Sequence, residues 1–216
     1  MSRRVLSETV DQEIMDEVMK MTMKVGTGLV STKEIAKKLG FSEPVIYAHF
    51  KTKQDLMDAT FVYCWKPFAE GHFFDVGPSL PADRPFEYYK PYILESLSYK
   101  KQLVYASHYL ASSYCDNKIV ERTWAPTKKS FVDVFKAFDP TIPDEECQFI
   151  ARICIGFRIN VANLFIKKEY QPSDMNLKNA FTIIDQGLVE CIGGYKPEAL
   201  AKIRSAQAER LLGKAK

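Results

Sequence analysis

The sequence predicts an all-α protein, and three observations lead to that prediction. Apolar residues recur at helical spacing over long segments, polar helix-starting residues and glycines stand at the ends of those segments, and no segment alternates apolar and polar residues as a strand does. The 216 residues are 46% hydrophobic and 26% charged, which suits a folded chain with a sizeable core. The expected architecture is a three-helix N-terminal domain followed by a larger helical domain.

The composition also limits the environment in which the protein is expected to work. The formal net charge of +3 neither demands nor excludes a nucleic-acid partner. We find no run of about 18 apolar residues and no secretory leader, so we expect no membrane span and a cytoplasmic location. The five cysteines lack the spacing of metal ligands and are expected to be small, reduced apolar residues, with no metal or cofactor bound.

The first predicted helix runs from Ser7 to Val25. Its apolar residues are three or four positions apart and form one stripe, which comprises Val10, Ile14, Val18, Met21 and Val25. Gly26 and Gly28 then supply residues that commonly end a helix. One face of this helix is therefore expected to lie in the core.

Two short helices are predicted between residues 31 and 50. Ser31 and Glu34 have the spacing of a capping box, and Gly40 offers a left-handed residue that ends the first helix after Leu39. Ser42 is expected to cap the second helix, whose first turn tolerates Pro44 because the first turn has unbonded N–H groups anyway. The pattern predicts two helices joined by a tight corner.

A third helix is predicted to begin at Thr52, with Asp55 favourably placed in its first turn.

The two short helices between residues 31 and 50, joined by a tight corner, form a helix-turn-helix pattern, in which the second helix enters the major groove of DNA. Five residues are expected to point outward, namely Ser42, Glu43, Pro44, Tyr47 and His49. Residues 32–53 carry five lysines and two glutamates, a net charge of +3. The alternative is an ordinary helical hairpin with a solvated lysine face.

The same segment resembles the DNA-binding domain of TetR-type transcriptional regulators. The residues that carry the resemblance are Ile35-Ala36, Gly40-Phe41-Ser42, Ile46-Tyr47-Ala48-His49-Phe50, Thr52-Lys53 and Leu56, within residues 8–60. The resemblance implies that Tyr47 and Lys53 bind DNA phosphates and that Thr32 and Lys33 contact the backbone. Together with the outward-facing positions of the second helix, the candidate DNA-binding residues are Thr32, Lys33, Ser42, Glu43, Pro44, Val45, Tyr47, His49 and Lys53.

One dipeptide departs from that family pattern. Glu43-Pro44 stands where many members have a basic residue followed by glycine. A carboxylate at this position could accept a hydrogen bond from a cytosine amino group or could face away from the DNA.

The second domain is expected to bind a small molecule. Residues 61–140 contain 18 of the 27 aromatic residues, and the prolines in this region are expected to divide it into helices of modest length, with a loop from Phe74 to Pro85. The candidate pocket residues are Tyr92, Tyr105, His108, Tyr109, Trp124 and Phe131. Because no cluster of Lys or Arg accompanies them in sequence, we expect a small hydrophobic or aromatic effector. Plain core packing of these aromatics is the alternative.

Two long helices, from Pro143 to Glu169 and from Ser173 to Cys191, are expected to form a homodimer interface. The candidate interface residues are Cys154, Phe157, Val161, Phe181 and Leu188. A basic amphipathic helix is expected after Gly194, docked on the body of the protein by its apolar edge.

No phosphate-binding loop, nucleophile elbow or zinc-protease helix occurs, so no enzyme activity is predicted. The predicted function is that of a repressor with a DNA-binding domain in residues 1–60 and a regulatory and dimerisation domain in residues 61–216. It would bind a palindromic double-stranded operator and be released by its effector. The alternative is a helical small-molecule-binding protein without DNA function.

Overall fold

The computed structural model describes residues 8–70 and 85–191, and all regular structure in those ranges is helical, which confirms the all-α prediction. The helices are α1 (Glu8–Val25), α2 (Thr32–Leu39), α3 (Glu43–His49), α4 (Lys53–Glu70), α5 (Pro85–Ser96), α6 (Lys100–Leu110), α7 (Asn117–Phe138), α8 (Asp144–Ile166) and α9 (Asp174–Cys191). Residues 74–84 of the predicted loop and the predicted tail helix lie outside the described residues.

Helix α2 begins after Ser31 and ends at Gly40 as its sequence predicts, but only half of the predicted capping box forms, because the Ser31 N–H donates to the Met21 sulfur at 3.3 Å and not to the Glu34 side chain. The Ser31 hydroxyl accepts a hydrogen bond from the Glu34 N–H at 3.3 Å, so one of the unbonded donors of the first turn is satisfied. Gly40 follows the helix with a φ of 72°, and its N–H donates to the carbonyl groups of Ala36 and Lys37. A side chain is disfavoured at that positive φ, which explains the glycine.

Helix α3 begins at the predicted residue, but its N-terminus is not capped in the predicted way. Ser42 occupies the N-cap position, yet its hydroxyl makes no capping hydrogen bond, so the predicted side-chain cap is wrong. Pro44 lies in the first turn, where its fixed φ suits the helix. The helix stops because Phe50 is extended, with a φ of −128°, while its N–H donates to the Ile46 carbonyl at 2.9 Å.

Helix α4 follows after a very short break and has a reciprocal cap. The Thr52 hydroxyl accepts from the Asp55 N–H at 3.0 Å, and the Asp55 carboxylate accepts from the Thr52 N–H at 3.0 Å. The cap at Thr52 is thus confirmed, and it fixes the direction in which α4 leaves α3.

Three prolines that were expected to divide the chain lie inside helices instead. Pro67, Pro91 and Pro126 fall within α4, α5 and α7, and α7 continues for 22 residues through its proline. A proline inside a helix costs about 3 kcal/mol. In α7 the burial of Val120, Trp124, Phe131 and Phe135 on both sides of Pro126 offsets that cost.

The described chain forms two compact units. The first comprises Met1–Glu70 and Tyr99–Thr123, so residues 99–123 share one unit with the predicted DNA-binding domain of residues 1–60. Its α1, α4 and α6 pack against one another. The largest side chains of this core are fully buried, namely Ile14, Met19, Leu56, Phe61, Trp65, Phe68, Tyr105 and Tyr109. This packing holds the start of α4 against α6.

The second unit comprises Gly71–Ser98 and Trp124–Lys216, and in it α5, α8 and α9 pack together. Their shared core consists of Ile93, Val161, Phe165, Leu177 and Ala180. Helix α8 is long and apolar enough to cross a membrane by length and composition alone, although Arg152 and Arg158 interrupt its apolar residues, and half of its most apolar 18-residue stretch is buried within the protein. Core helices of water-soluble proteins have the same character, and the packing on α5 and α9 accounts for it here.

Candidate nucleic-acid interface

The inner side of the helix-turn-helix is apolar and fully packed. Ile35 and Ala36 of α2, Ile46 of α3 and Phe50 are all buried. Ala36 has the small side chain that a close approach of two helices requires. A further contact ties α2 to α1, because the Lys38 ammonium lies 2.8 Å from the Glu17 carboxylate. The two short helices therefore pack against each other, and α2 also packs against α1.

The outer side of the same pair exposes polar and basic groups. Lys33, Ser42, Pro44 and Tyr47 are exposed, as the sequence predicts, while Val45 is half-buried. Lys37 and Lys51 add exposed positive charges close to this surface, whereas the Lys38 ammonium is paired with the Glu17 carboxylate. An exposed, locally basic helix pair with a tyrosine at its centre has the chemistry needed to bind a phosphate backbone.

Glu43 is engaged with the start of α2. The Thr32 hydroxyl donates to the Glu43 carboxylate at 2.6 Å, and the Thr32 and Tyr47 hydroxyl oxygens lie 3.4 Å apart. Thr32 itself is buried. The carboxylate that replaces a basic residue in the family pattern is therefore used to join the first turns of α2 and α3.

His49 does not point outward, so that expectation is wrong. Its side chain is only 4% exposed, and its Nδ1 is paired with the Asp11 carboxylate of α1. The cause is a partner 38 residues earlier in the chain, which a local helical pattern does not reveal. In this structure His49 fastens the end of α3 to α1.

The first turn of α4 contacts Tyr114, which lies in the turn that follows α6. The Lys53 ammonium lies 5.3 Å from the centre of the Tyr114 ring, a cation–π distance. The neighbouring Gln54 amide donates to the Tyr114 carbonyl at 2.8 Å and to the Asp58 carboxylate at 2.8 Å. Neither Gln54 nor Tyr114 was singled out from the sequence.

Asp58 connects this surface with the core beneath it. The Tyr109 hydroxyl donates to the Asp58 carboxylate at 2.5 Å and accepts from the Asp116 N–H at 3.2 Å. Burial, and then the hydrogen bond to Asp58, raise the pKa of Tyr109 well above its ordinary value of 10.0. Tyr109 therefore stays protonated and remains a donor to Asp58 at neutral pH.

The candidate pocket residues are divided between the two compact units. Tyr105 and Tyr109 are fully buried in the first, where the Tyr105 hydroxyl donates to the Met57 carbonyl at 2.7 Å. His108 is half-buried, with its ring next to Gly26. These three residues therefore already have packing or hydrogen-bonding roles in the protein itself.

Trp124 and Phe131 lie in the second unit, and both are buried. The Arg152 guanidinium lies 5.5 Å from the centre of the Trp124 ring, and that of Arg158 lies 5.7 Å from the centre of the Phe131 ring. These two α8 arginines accompany the candidate aromatics although the local sequence suggested that no basic groups would. The side chain of the sixth residue, Tyr92, lies outside the described residues.

The candidate dimer residues turn out to be inner residues of α8 and α9. Cys154 and Val161 are buried within the chain, and Phe157 and Phe181 pack partly buried against the α5–α8–α9 core. The side chain of Leu188 lies outside the described residues. The apolar groups that α8 and α9 expose are instead Phe149, Ile153, Met175 and Ile183.

Metal binding has no structural support in the part of the chain that the structure describes. There, no three His, Cys, Asp or Glu side chains are grouped so that they could hold an ion. Cys64, Cys147 and Cys154 are buried, and burial raises the pKa of the Cys64 and Cys147 thiols. A raised thiol pKa disfavours the thiolate that metal binding and nucleophilic reactions need.

Comparison with known proteins agrees with the geometry. Residues 14–60 match the family model of bacterial regulatory proteins of the tetR family. No curated protein matches the chain.

Solved structures resemble most of the chain at low sequence identity. A structure assigned to the TetR family of transcription regulators, from Shewanella sp. PV-4, aligns at 14% identity with a TM-score of 0.67, covering 82% of this chain and 96% of that one. A TetR-family regulator from Streptomyces coelicolor aligns at 16% identity with a TM-score of 0.62, covering 97% and 98% of the two chains. A TetR-family regulator from Marinobacter aquaeolei VT8 aligns at 17% identity with a TM-score of 0.60, covering 81% and 92%. Residues 14–60 therefore match the family model of bacterial regulatory proteins of the tetR family, and the chain has the all-α fold seen in TetR-family transcription regulators.

Proposed function

We propose that the protein is a cytoplasmic, non-enzymatic transcription repressor that binds a palindromic operator as a homodimer and is released by a small effector. The observation that carries the DNA-binding part is the exposed basic side of α2 and α3, with Tyr47 at its centre and Lys53 at the adjoining helix start. Lys53 adds its charge to the partial positive charge at the N-terminus of an 18-residue helix. The arrangement supports contacts to phosphates on both sides of a groove-inserted α3.

The structure weakens the argument for a helical binding protein that has lost its DNA function. That alternative rests on Glu43-Pro44, which removes a basic residue from the DNA-facing surface. Glu43 nevertheless has a partner in Thr32, and Pro44 leaves α3 intact. Neither residue disturbs the buried contacts between the two helices.

Replacement of Lys53 by Ala tests the proposed phosphate contact. We expect Lys53→Ala to weaken binding to every duplex sequence and to lower the slope of log affinity against log salt by about one unit for each bound subunit, because each subunit releases one counterion fewer. Titrations of a labelled duplex over a range of salt concentrations give both quantities.

The matched control for that experiment is Lys129→Ala, which removes an exposed lysine of α7 that pairs with Asp133. This control should bind DNA like the parent at every salt concentration. An unchanged affinity and salt slope for Lys53→Ala would refute the contact. Failure of the parent protein to select any duplex from a random pool would refute the DNA-binding proposal itself.

The homodimer proposal relies on the exposed apolar groups of α8 and α9. Phe149 is 64% exposed and Ile153 is 55% exposed, four positions apart on one side of α8, and Ile183 of α9 is also exposed. Gly156 and Gly187 lie on the solvent side of the same two helices. Large apolar groups beside small residues favour close packing of helices from two subunits.

The effector proposal relies on Trp124 and Phe131, which are buried aromatics on α7 beside two arginines of α8. An aromatic molecule could stack on one of these two aromatic rings in place of the arginine guanidinium group. A carboxylate on that molecule could then pair with the displaced arginine. Only an effector with different affinities for the DNA-bound and free conformations would change operator binding.

A thermal-unfolding screen tests the effector proposal with matched pairs of aromatic compounds, one neutral and one carrying a carboxylate. We expect at least one compound to raise the midpoint of unfolding and to lower operator affinity, with the carboxylate form preferred. Arg152→Leu should remove that preference while leaving the neutral compounds unaffected. If compounds that stabilise the protein leave operator affinity unchanged, the effector proposal fails while DNA binding stands.

A further inference from the structure

The turn between α6 and α7 is fixed against the first turn of α4. The Tyr114 carbonyl accepts from the Gln54 amide at 2.8 Å, and the Tyr114 N–H donates to the Ser112 hydroxyl at 3.2 Å. At the far end of the turn, the Asp116 N–H donates to the Tyr109 hydroxyl at 3.2 Å. Three hydrogen bonds therefore determine where the Tyr114 ring lies.

These bonds extend from the surface into the core. Asp58 accepts from both Gln54 and Tyr109, and the buried Tyr109 ring stacks on Phe61 with ring centres 4.5 Å apart. Tyr109, the innermost residue of this hydrogen-bonded series, is fully buried, so the turn cannot move far without breaking packed contacts. The Tyr114 ring is thus held on a rigid support rather than on a free loop.

The ring in turn holds Lys53. A lysine ammonium over an aromatic face is attracted by the ring quadrupole and keeps its full charge. A carboxylate partner would instead neutralise the charge that a phosphate needs. The 5.3 Å contact between the Lys53 ammonium and the ring centre therefore orients the ammonium and leaves it available to an anion.

We propose that Tyr114 is a positioning residue for DNA binding, which acts by holding the Lys53 ammonium ready for a phosphate and so makes the α6–α7 turn a determinant of operator affinity. This inference rests on the proposed DNA-binding function and deepens it. Tyr114 is 61 positions from Lys53 in the sequence and lies outside residues 14–60, which match the family model. The chain therefore has a DNA-affinity residue beyond its helix-turn-helix segment.

A double-mutant cycle tests the inference. Tyr114→Leu should reduce operator affinity two- to five-fold for each bound subunit, the range that corresponds to a cation–π contact of about 0.5–1 kcal/mol at an exposed site. Tyr114→Phe keeps the ring and should bind like the parent. In the Lys53→Ala background, Tyr114→Leu should have no further effect, because Tyr114 acts through the lysine.

The readouts are anisotropy of a labelled duplex selected by the parent protein and the unfolding midpoint of each variant. If Tyr114→Leu lowers the midpoint strongly, Gln54→Ala takes its place, since Gln54 is exposed and its amide holds the Tyr114 carbonyl. Parent-like affinity of both variants, or an equal loss with and without Lys53, overturns the inference. If the parent selects no duplex at all, the proposed function fails first, which distinguishes the two failures.

Discussion

Ile153→Asp should convert the protein into monomers and reduce operator affinity about 100-fold or more. Two copies of the substituted residue would bring two carboxylates into the proposed α8–α9 interface, where each would lose water without gaining a partner. A monomer presents one α3, whereas a dimer presents two to half-sites about 34–36 Å apart. Joining two binding modules in one particle raises affinity by about 10²–10⁴, and the monomer loses that gain.

Light scattering measures the mass of the particle, and titration of the labelled operator measures its affinity. Leu94→Asp is a matched control, because Leu94 is a partly exposed leucine of α5 in the same compact unit. It should remain dimeric and bind the operator. Dimers that persist in both Ile153→Asp and Ile183→Asp would place the subunit interface on another surface.

The exposed position of Ile153 is a feature of α8 that the sequence alone does not predict. Apolar residues occur around the whole of this helix, so their spacing predicts a helix but does not distinguish its inner side from its outer side. Packing of α5 and α9 decides the question by burying Val161 and Phe165 and leaving Phe149 and Ile153 exposed. Asp at Phe157 would damage the core, so it is a poorer test of the dimer.

In the helix-turn-helix, too, the sequence predicts some features and cannot predict others. The cap at Ser31, the left-handed Gly40 and the reciprocal cap of Thr52 and Asp55 depend on neighbours a few positions away, and all were predictable. The side-chain cap predicted at Ser42 is a local expectation that does not hold, whereas the error at His49 involves a distant partner. His49 turns inward because of Asp11, a partner that no local pattern identifies.

The prediction that prolines divide the second part of the chain into short helices is wrong for a related reason. The cost of one proline is local and nearly constant, whereas the gain from packing depends on the rest of the fold. Pro126 has buried residues of α7 before and after it, so the helix continues through it. Local propensity alone could not weigh these two effects.

Phe61→Ala should lower the free energy of unfolding by about 3–5 kcal/mol, the range for removing a buried aromatic ring. Phe61 is fully buried in α4, where it stacks on Tyr109 at 4.5 Å and on Trp65 at 6.4 Å between ring centres. The substitution leaves a cavity at the point where α4 meets α6. Urea unfolding followed by circular dichroism gives the change.

The adjacent Val62 supplies the control for this stability prediction, because it lies on the same helix and is 41% exposed. Val62→Ala should change the free energy of unfolding by no more than about 0.5 kcal/mol. Phe61→Leu, which restores most of the lost volume, should recover a large part of the stability because the cavity contributes to the cost separately from the transfer of the ring. Equal urea midpoints for Phe61→Ala and Val62→Ala would mean that the aromatic stack of α4 and α6 does not stabilise the first unit. The support proposed for Asp58, Gln54 and Tyr114 would then be lost, since Phe61 is the buried residue on which Tyr109 rests.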